Sequence, residues 1–383
     1  MGFITQAIAA NFAPLLFLKF HNDYNISLGN IALISTFFFF TQLLVDLFCA
    51  KFVDYIGYRV CIVASEIFAS LGLVGLAFLP ELLPDPFIGI ICSVVIYAIG
   101  SGLIEVLCSP IIEACPFENK EATMSLLHSF YCWGCTGVVL LSTLFFALFG
   151  TSHWKILALI WVLLPTANLI LFTKVPIYSL HEEGESGMSI SELFRVKVFW
   201  LLMAMMLCAG ASEQAVSQWA STFAEKGLHI QKTVGDLVGP MMFSVLMGLS
   251  RLIYGKYGEK LSLDRFMKGS CVLCVASYLC ISLVPVPIVG LIGCAICGFS
   301  VGIMWPGTFS KASAAIKRGG TVLFAMLALA GDLGCSGGPT LVGFVSSAFS
   351  GNLRLGILTA IVFPVLLFAG LCTFSRLVVK NVD

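Results

Sequence analysis

The feature that most constrains this chain is a succession of apolar stretches, each about 20 residues long and separated by charged or Pro/Gly-containing turns. About twelve such stretches can be counted. Of the 383 residues, 59% are hydrophobic and 11% are charged, whereas a soluble domain has about 25% charged residues. Hydrocarbon offers the backbone no hydrogen-bond partners, so helices, which satisfy their own backbone groups, are expected. The sequence therefore predicts an all-α polytopic membrane protein.

The apolar stretches fall into two groups of six on either side of a polar linker, which predicts two pseudo-symmetric six-helix bundles. The predicted bundles are residues 1–173 and 198–383, and residues 174–197 form the linker. Within it, Ser189 and Glu192 have the spacing of a capping box, which predicts a short amphipathic helix before the second bundle. The predicted spans are 3–20, 29–50, 60–79, 87–112, 122–149, 154–173, 198–223, 234–254, 266–284, 287–313, 320–349 and 353–375.

A weak internal repeat relates the two halves. Residues 100–110 read GSGLIEVLCSP and residues 298–307 read GFSVGIMWPG, so both segments are Gly-rich and reach a proline. Such a parallel repeat is typical of one large class of membrane transporters.

The basic residues predict the orientation of the chain in the membrane. With an even number of spans, most of the 21 Lys and Arg residues lie on the side that carries both termini. By the positive-inside rule, both termini are predicted to be cytoplasmic, in a multi-pass protein of the cell membrane, taken to be a cell inner membrane. Residues 3–20 lack a basic n-region and a small-residue cleavage site, so they read as the first span rather than a signal peptide.

Several function classes are disfavoured by what the sequence lacks. The net charge is zero, and no nucleic-acid partner is predicted. There is no Gly-x-x-x-x-Gly-Lys-Ser/Thr run and no legible nucleophile–base arrangement, which argues against ATP-driven pumping and against an enzyme. Most of the fifteen cysteines lie in apolar runs, and three CxxC spacings are read as packing, with a zinc or redox site as the weaker alternative. No metal and no cofactor other than a coupling ion is expected.

A loop motif carries the first resemblance to a known family. Residues 50–59, AKFVDYIGYR, resemble the cytoplasmic loop signature Gly-x-x-x-Asp-Arg-x-Gly-Arg-Arg of the major facilitator superfamily. Asp54, Gly57 and Arg59 match, whereas the first glycine and one basic residue are replaced by alanine and tyrosine. A looser copy begins at Arg251 in the second half. The resemblance implies a charge latch that holds one conformation, and a solvated loop is the alternative.

Within that superfamily, four spans resemble the fucose/glucose cation-symporter branch. They are span four, with Glu105 followed by Pro110; span five, LLHSFYCWG at 126–134; span seven, GASE at 210–213 followed by Trp219; and span ten, GFSVGIMWP at 298–306. The resemblance implies a monomeric transporter that moves a monosaccharide with a cation by exposing a midplane site to one side at a time. Span one departs from it, because Asn11 stands where the branch's fucose transporter has an aspartate.

Three ionisable residues inside apolar spans are candidates for ion coupling. Such groups are costly in hydrocarbon and are functional candidates by default. Glu105 lies in the middle of span four and can bind a proton or, as a hard oxygen ligand, Na⁺. Asp332 lies between glycines in span eleven, and His128 lies nearer a membrane edge in span five. The alternative for each is a structural hydrogen bond.

A further set of residues is predicted to contact the substrate. In span seven, Gln214 and Gln218 lie one turn apart on a face near Glu213, and amides beside an aromatic ring suit a sugar. Tryptophans in apolar helices are also common as packing or interface anchors. Gln6 and Asn168 are candidates for the same cavity, whereas Glu66 is interpreted as a residue of the cytoplasmic end. The predicted substrate-binding residues are Asn11, Gln42, Trp133, Glu213, Gln214, Gln218, Trp219 and Trp305.

These features together predict a secondary active transporter of a monosaccharide or similar small polar solute, coupled to H⁺ or Na⁺ through Glu105. Its partners are expected to be that solute and the lipid bilayer. An exporter of amphipathic compounds or drugs is the alternative with the same fold. A non-transporting membrane sensor or scaffold is a third alternative, which the short cytoplasmic segments disfavour.

Overall fold

The computed structural model describes residues 1–26, 28–178, 180, 187–220, 232–350 and 352–380. These described residues form helices joined by short turns, with no strand among them, so the predicted all-α class is confirmed. The helices are α1 (Gly2–Leu15), α2 (Phe17–Tyr24), α3 (Leu28–Ile56), α4 (Tyr58–Leu82), α5 (Pro86–Ala114), α6 (Lys120–Phe149), α7 (Trp154–Lys174), α8 (Ile190–Phe194), α9 (Lys197–Ser217), α10 (Lys232–Tyr257), α11 (Leu263–Leu283), α12 (Pro287–Val301), α13 (Met304–Ala315), α14 (Gly320–Ala348), α15 (Leu353–Thr359) and α16 (Val362–Lys380).

Ten segments of the described chain are long and apolar enough to cross a membrane. They are α3 to α7, α9, α11, α14 and the helix pairs α12–α13 and α15–α16. The predicted spans at 3–20 and 234–254 correspond to α1–α2 and α10, which fall outside this set of ten. The end of the predicted span at 198–223 lies outside the described residues.

Three of the predicted spans are interrupted, each near a proline. Pro14, Pro306 and Pro364 lie close to the α1–α2, α12–α13 and α15–α16 breaks. A proline has no N–H to donate, so the carbonyl four residues earlier loses its helical partner. Pro306 in this way leaves the Gly302 carbonyl available to another donor.

Two compact units make up the chain. Unit 1 contains Met1–Cys115 and Trp133–Glu183, and unit 2 contains Pro116–Cys132 and Gly184–Asp383. Helix α6 therefore contributes its first part to unit 2 and its remainder to unit 1. The bundle boundaries at 1–173 and 198–383 stay a prediction.

Unit 1 is built on a close contact between α4 and α5. A Cβ on Gly100 of α5 would lie 2.4 Å from the Ser65 carbonyl oxygen of α4, and one on Gly72 of α4 would lie 2.5 Å from the Tyr97 amide. Small residues let membrane helices approach in this way. Helices α1, α2, α3 and α7 and the second part of α6 complete the unit over an apolar core that includes Phe12, Phe20, Leu73, Tyr97 and Trp154.

In unit 2, α9 and α14 approach each other closely through small residues in the same way. A Cβ on Gly334 would lie 2.0 Å from the Leu207 carbonyl oxygen, and one on Gly338 would lie 2.5 Å from that of Ala211. The backbones of the two helices are therefore in direct contact, which fixes Glu213 on α9 and Asp332 on α14 within one rigid pair.

Most residues of the two motifs that were predicted to form loops are helical instead. Helix α3 continues to Ile56 and α4 begins at Tyr58, so the turn is confined to Gly57. Gly57 adopts φ of 96°, which a side chain would strain. In the second half, Arg251 lies within α10 and is 3% exposed, so it is not a turn residue. The apolar pattern continues through both motifs, which is why helix formation extends across them.

The linker contains α8, a single short helix with a capping box at its start. The Ser189 hydroxyl accepts the Glu192 N–H at 3.3 Å, and the Glu192 carboxylate accepts the Ser189 N–H at 2.7 Å. The Ser189 N–H and the Ser189 hydroxyl both donate to the Glu192 carboxylate, and they hold the pKa of Glu192 below its ordinary value. Residues 181–186 of the linker lie outside the described chain.

The glycine contact between α9 and α14 gives a direct test of the packing. We expect Gly334→Ala to destabilise the protein by about 2 kcal/mol, a fall of a few degrees in melting temperature, because the added methyl group meets backbone atoms. Gly337 lies on the same helix, where a Cβ would meet nothing within 4 Å, so Gly337→Ala is the matched control and is expected to be neutral. Thermal unfolding of both variants in detergent measures the difference. Equal melting temperatures would contradict the close contact.

Candidate functional site

The most distinctive polar cluster of unit 1 is centred on Glu105, in the middle of α5. The Gln6 amide of α1 and the Gln42 amide of α3 each donate to Oε2 of Glu105 at 2.9 Å. The Gln42 amide also lies 3.4 Å from the Ser101 hydroxyl, one turn earlier on α5. Three helices thus converge on one carboxylate, which is held by neutral donors.

The exposure of α5 singles out the same residue. Glu105 is half-buried, whereas the residues on either side of it, 100–104 and 106–110, are all buried. Gln6 and Gln42 are themselves 7% and 3% exposed. Glu105 is therefore more exposed than its neighbours on α5 and than the two amides that donate to it.

Two other predicted substrate residues of unit 1 lie apart from these hydrogen bonds. The Asn11 amide donates to the Ala7 carbonyl oxygen at 2.9 Å and to the Cys135 sulfur at 3.2 Å, so it joins α1 to α6. Trp133 is 37% exposed at the start of the unit 1 part of α6. The substrate role of both residues stays a prediction.

The predicted latch residues of unit 1 lie around the α3–α4 turn. Asp54 is exposed in the last turn of α3, and Gly57 forms the turn itself. Arg59 donates to the carbonyl oxygens of Phe172, Thr173 and Val175 at 2.8, 3.1 and 2.9 Å. A cation at a helix C-terminus satisfies its last carbonyls and complements its dipole. Arg59 therefore ties the start of α4 to the end of α7.

In unit 2, Arg251 is the centre of a buried polar network. Its Nε donates to the Gly302 carbonyl oxygen at 2.7 Å, the carbonyl that Pro306 leaves without a helical donor. Its Nη1 donates to the His128 carbonyl oxygen at 3.0 Å and contacts the Cys132 sulfur at 3.1 Å. Arg251 thus connects α10 with the α12–α13 break and with the first part of α6.

The fourth contact of Arg251 is with a predicted substrate residue. Its Nη2 lies 3.5 Å from Oε2 of Glu213, and the two side chains are 4% and 10% exposed. Gln214 donates to the other oxygen of Glu213 at 3.5 Å. The Glu213 carboxylate is therefore engaged within the protein, and its substrate contact stays a prediction.

Gln218 and Trp219 line an open cleft of about 430 Å³ at the end of α9. The Trp219 indole donates to the Pro339 carbonyl oxygen at 3.2 Å. Thr340, Gly343 and Phe344 complete the lining. This cleft offers an amide, a hydroxyl and two aromatic rings.

The remaining predicted residues of unit 2 are buried. The His128 ring lies 5.7 Å from that of Phe309, which in turn lies 6.2 Å from that of Trp305. Trp305 packs on Gly331, where a Cβ would lie 2.1 Å from its ring. Asp332 is 6% exposed, and its buried Oδ2 has no hydrogen-bond partner among the described residues.

Sequence reasoning missed several parts of these clusters. Ser101 was not selected because serines are common in membrane helices and carry no charge. Arg251 was predicted to lie in a loop, whereas Met247 and Tyr254, one helical turn away on either side, are buried with it. Within the described chain, no group of three or more His, Cys, Asp and Glu side chains is placed to hold a metal ion.

We expect the replacement of Arg251 to lower the stability of the protein strongly. Arg251→Met leaves Glu213 as a buried charge without its cation, and we expect a cost of roughly 3 kcal/mol. Adding Glu213→Gln removes that charge, so the double variant should recover part of the loss. Lys256→Met on the exposed face of the same helix is the control. Thermal unfolding checks this, and a cost for Arg251→Met no greater than for Lys256→Met would contradict it.

Comparison with solved structures shows the same fold in known transporters. A crystal structure of the transporter FucP in the outward conformation superposes with a TM-score of 0.82 at 16% identity, covering 97% of this chain and 96% of that one. A structure of the E. coli fucose:proton symporter FucP gives a TM-score of 0.81 at 16% identity, with the same coverage. The proton:xylose symporter XylE, bound to 6-bromo-6-deoxy-D-glucose, gives 0.79 at 12% identity, covering 96% and 92%.

Sequence comparison gives a distant curated relative and a family. The membrane protein MosC of Rhizobium meliloti is 23% identical over 261 residues, which are 67% of this chain. The aligned part spans 62% of the length of MosC. The sequence model of the Major Facilitator Superfamily matches residues 1–339. Because that match covers most of the chain and the fold agrees with it, the protein belongs to the Major Facilitator Superfamily and is a multi-pass membrane protein.

Proposed function

We propose that this protein is a secondary active transporter that moves a monosaccharide or a similar small polar solute by alternating access. Transport is coupled to H⁺, or to Na⁺, through Glu105. The observation that carries the proposal is the convergence of the Gln6 and Gln42 amides on the half-buried Glu105 carboxylate. The proposal places both termini in the cytoplasm and the protein at work as a monomer.

The chemistry of the Glu105 cluster suits a cation that binds and leaves. A carboxylate inside a membrane span is costly, and a bound proton or Na⁺ removes that cost. The Gln6 and Gln42 donors are neutral amides, and each stabilises the ionised form less strongly than an arginine or lysine would. The proposed transport cycle uses both forms of the carboxyl group.

Carboxamide and aromatic side chains indicate the class of substrate in this proposal. Carboxamides both donate and accept hydrogen bonds, as sugar hydroxyls do, and an aromatic ring covers the apolar face of a sugar. Gln218 and Trp219 bring these two types of group to the cleft of unit 2. The fucose:proton symporter and the proton:xylose symporter with the same fold support a polar solute and a cation.

Reconstitution in liposomes tests the coupling residue. With an imposed proton or sodium gradient, we expect the unmodified protein to accumulate one member of a sugar panel against its gradient. Glu105→Gln should abolish accumulation, because the amide cannot bind the ion, while exchange of the solute down its gradient continues. Glu113→Gln makes the same change two turns along α5 and is the control.

Two outcomes would overturn the proposal. Accumulation by Glu105→Gln at the unmodified rate would remove Glu105 from the coupling step. Movement of a lipophilic cation, with no sugar bound or moved, would support an exporter of amphipathic compounds instead.

A further inference from the structure

A second carboxylate of unit 1, Glu66 on α4, is buried more completely than Glu105. Its exposed fraction is 0%. The Thr5 hydroxyl of α1 donates to Oε2 of Glu66 at 2.9 Å, and the Asn168 amide of α7 donates to the Thr5 hydroxyl oxygen at 2.9 Å. Three helices, α1, α4 and α7, thus meet in a chain of donors that ends on one oxygen of Glu66.

The other oxygen of Glu66 lies in an apolar environment. Oε1 is buried and has no hydrogen-bond partner among the described residues, and none of their ion pairs includes Glu66. The titratable groups near Glu66 are the Cys108 thiol of α5 and the amino group of Met1, a residue that is 58% exposed. From α7 the facing group is the neutral Asn168 amide, and from α1 it is the Thr5 hydroxyl.

This arrangement favours the neutral acid over the carboxylate. An ionised carboxylate in a membrane interior needs a cation or several donors, and the Thr5 hydroxyl with the neighbouring Asn168 amide supplies only neutral donors. A carboxylic acid needs fewer partners, because it carries no charge and its carbonyl oxygen accepts one hydrogen bond. The donor from Thr5 marks Oε2 as the carbonyl oxygen, which leaves Oε1 to carry the proton.

We propose that Glu66 is a proton-binding site of this protein, separate from Glu105, in which Oε1 takes up a proton from water and the Asn168–Thr5 pair holds Oε2. The reaction is a proton transfer alone, from carboxylate and hydronium to carboxylic acid and water. It does not depend on the proposed transport function.

The position of α1 links this site to Glu105. Thr5 and Gln6 are consecutive residues, and the first binds Glu66 while the second binds Glu105. The two carboxylates of unit 1 therefore each accept a hydrogen bond from the same helix.

Infrared spectroscopy of the purified full chain in nanodiscs tests the proposal, because a protonated carboxyl group has its own C=O stretching band. At pH 7, Glu66→Gln should remove one such band. Glu81→Gln makes the same change on the same helix, where the side chain is 60% exposed and paired with Lys155, and should leave the band unchanged.

A second variant tests the geometry and stays informative if Glu66→Gln fails to fold. Thr5→Val keeps the shape of the side chain but removes the hydroxyl, so the Glu66 band should shift to higher frequency as its carbonyl oxygen loses a hydrogen bond. Glu105→Gln should retain the Glu66 band, which separates this proposal from the coupling role of Glu105. An unchanged set of carboxyl bands in Glu66→Gln, or an unshifted band in Thr5→Val, would overturn the proposal.

Discussion

The structure depends on the cost of leaving a polar group without a partner in hydrocarbon. Arg251, Glu213 and Glu66 each contact a group on another helix, and these contacts hold the helices together. Arg251 shows the effect most clearly. Pro306 removes a helical hydrogen bond, the Gly302 carbonyl becomes available, and Arg251 of another helix donates to it at 2.7 Å. A local break in one helix is thereby converted into a fixed contact between two.

The two units satisfy their buried carboxylates by different means. In unit 2, Glu213 is paired with Arg251, a cation that does not lose its proton in proteins. In unit 1, Glu105 is held by two neutral amides. Removing the charge of Glu213 would leave Arg251 with a poorer partner, whereas neutral donors tolerate either form of Glu105. The asymmetry supports ion coupling in the first half of the chain and a structural role for the charges of the second.

Helix α1 has a particular place in unit 1, because it carries the donors to both of that unit's buried glutamates. Thr5 and Gln6 point to different neighbours, since consecutive residues on a helix lie about 100° apart. The helix thus lies between α4 and α5 on the polar side and reaches α6 through Asn11. Helix α1 carries Asn11 and no acidic residue, and α4 places the buried carboxyl group of Glu66 against it.

The sequence by itself determined the membrane-spanning all-α class and the superfamily, and it indicated Glu105 as a candidate site residue, because length, apolar composition and a mid-span charge are local properties of the chain. It also indicated α8, whose capping box needs only two residues of the right spacing. Tertiary structure decided which polar groups meet. Gln6, Gln42 and Glu105 are far apart in sequence. Glu66 was predicted to lie at the cytoplasmic end of its span, whereas the structure buries its side chain completely. Arg251 was predicted to lie in a turn and instead lies in a buried network, for the same reason. Helix pairing depends on glycine contacts and proline breaks in several segments and is not encoded in any one of them.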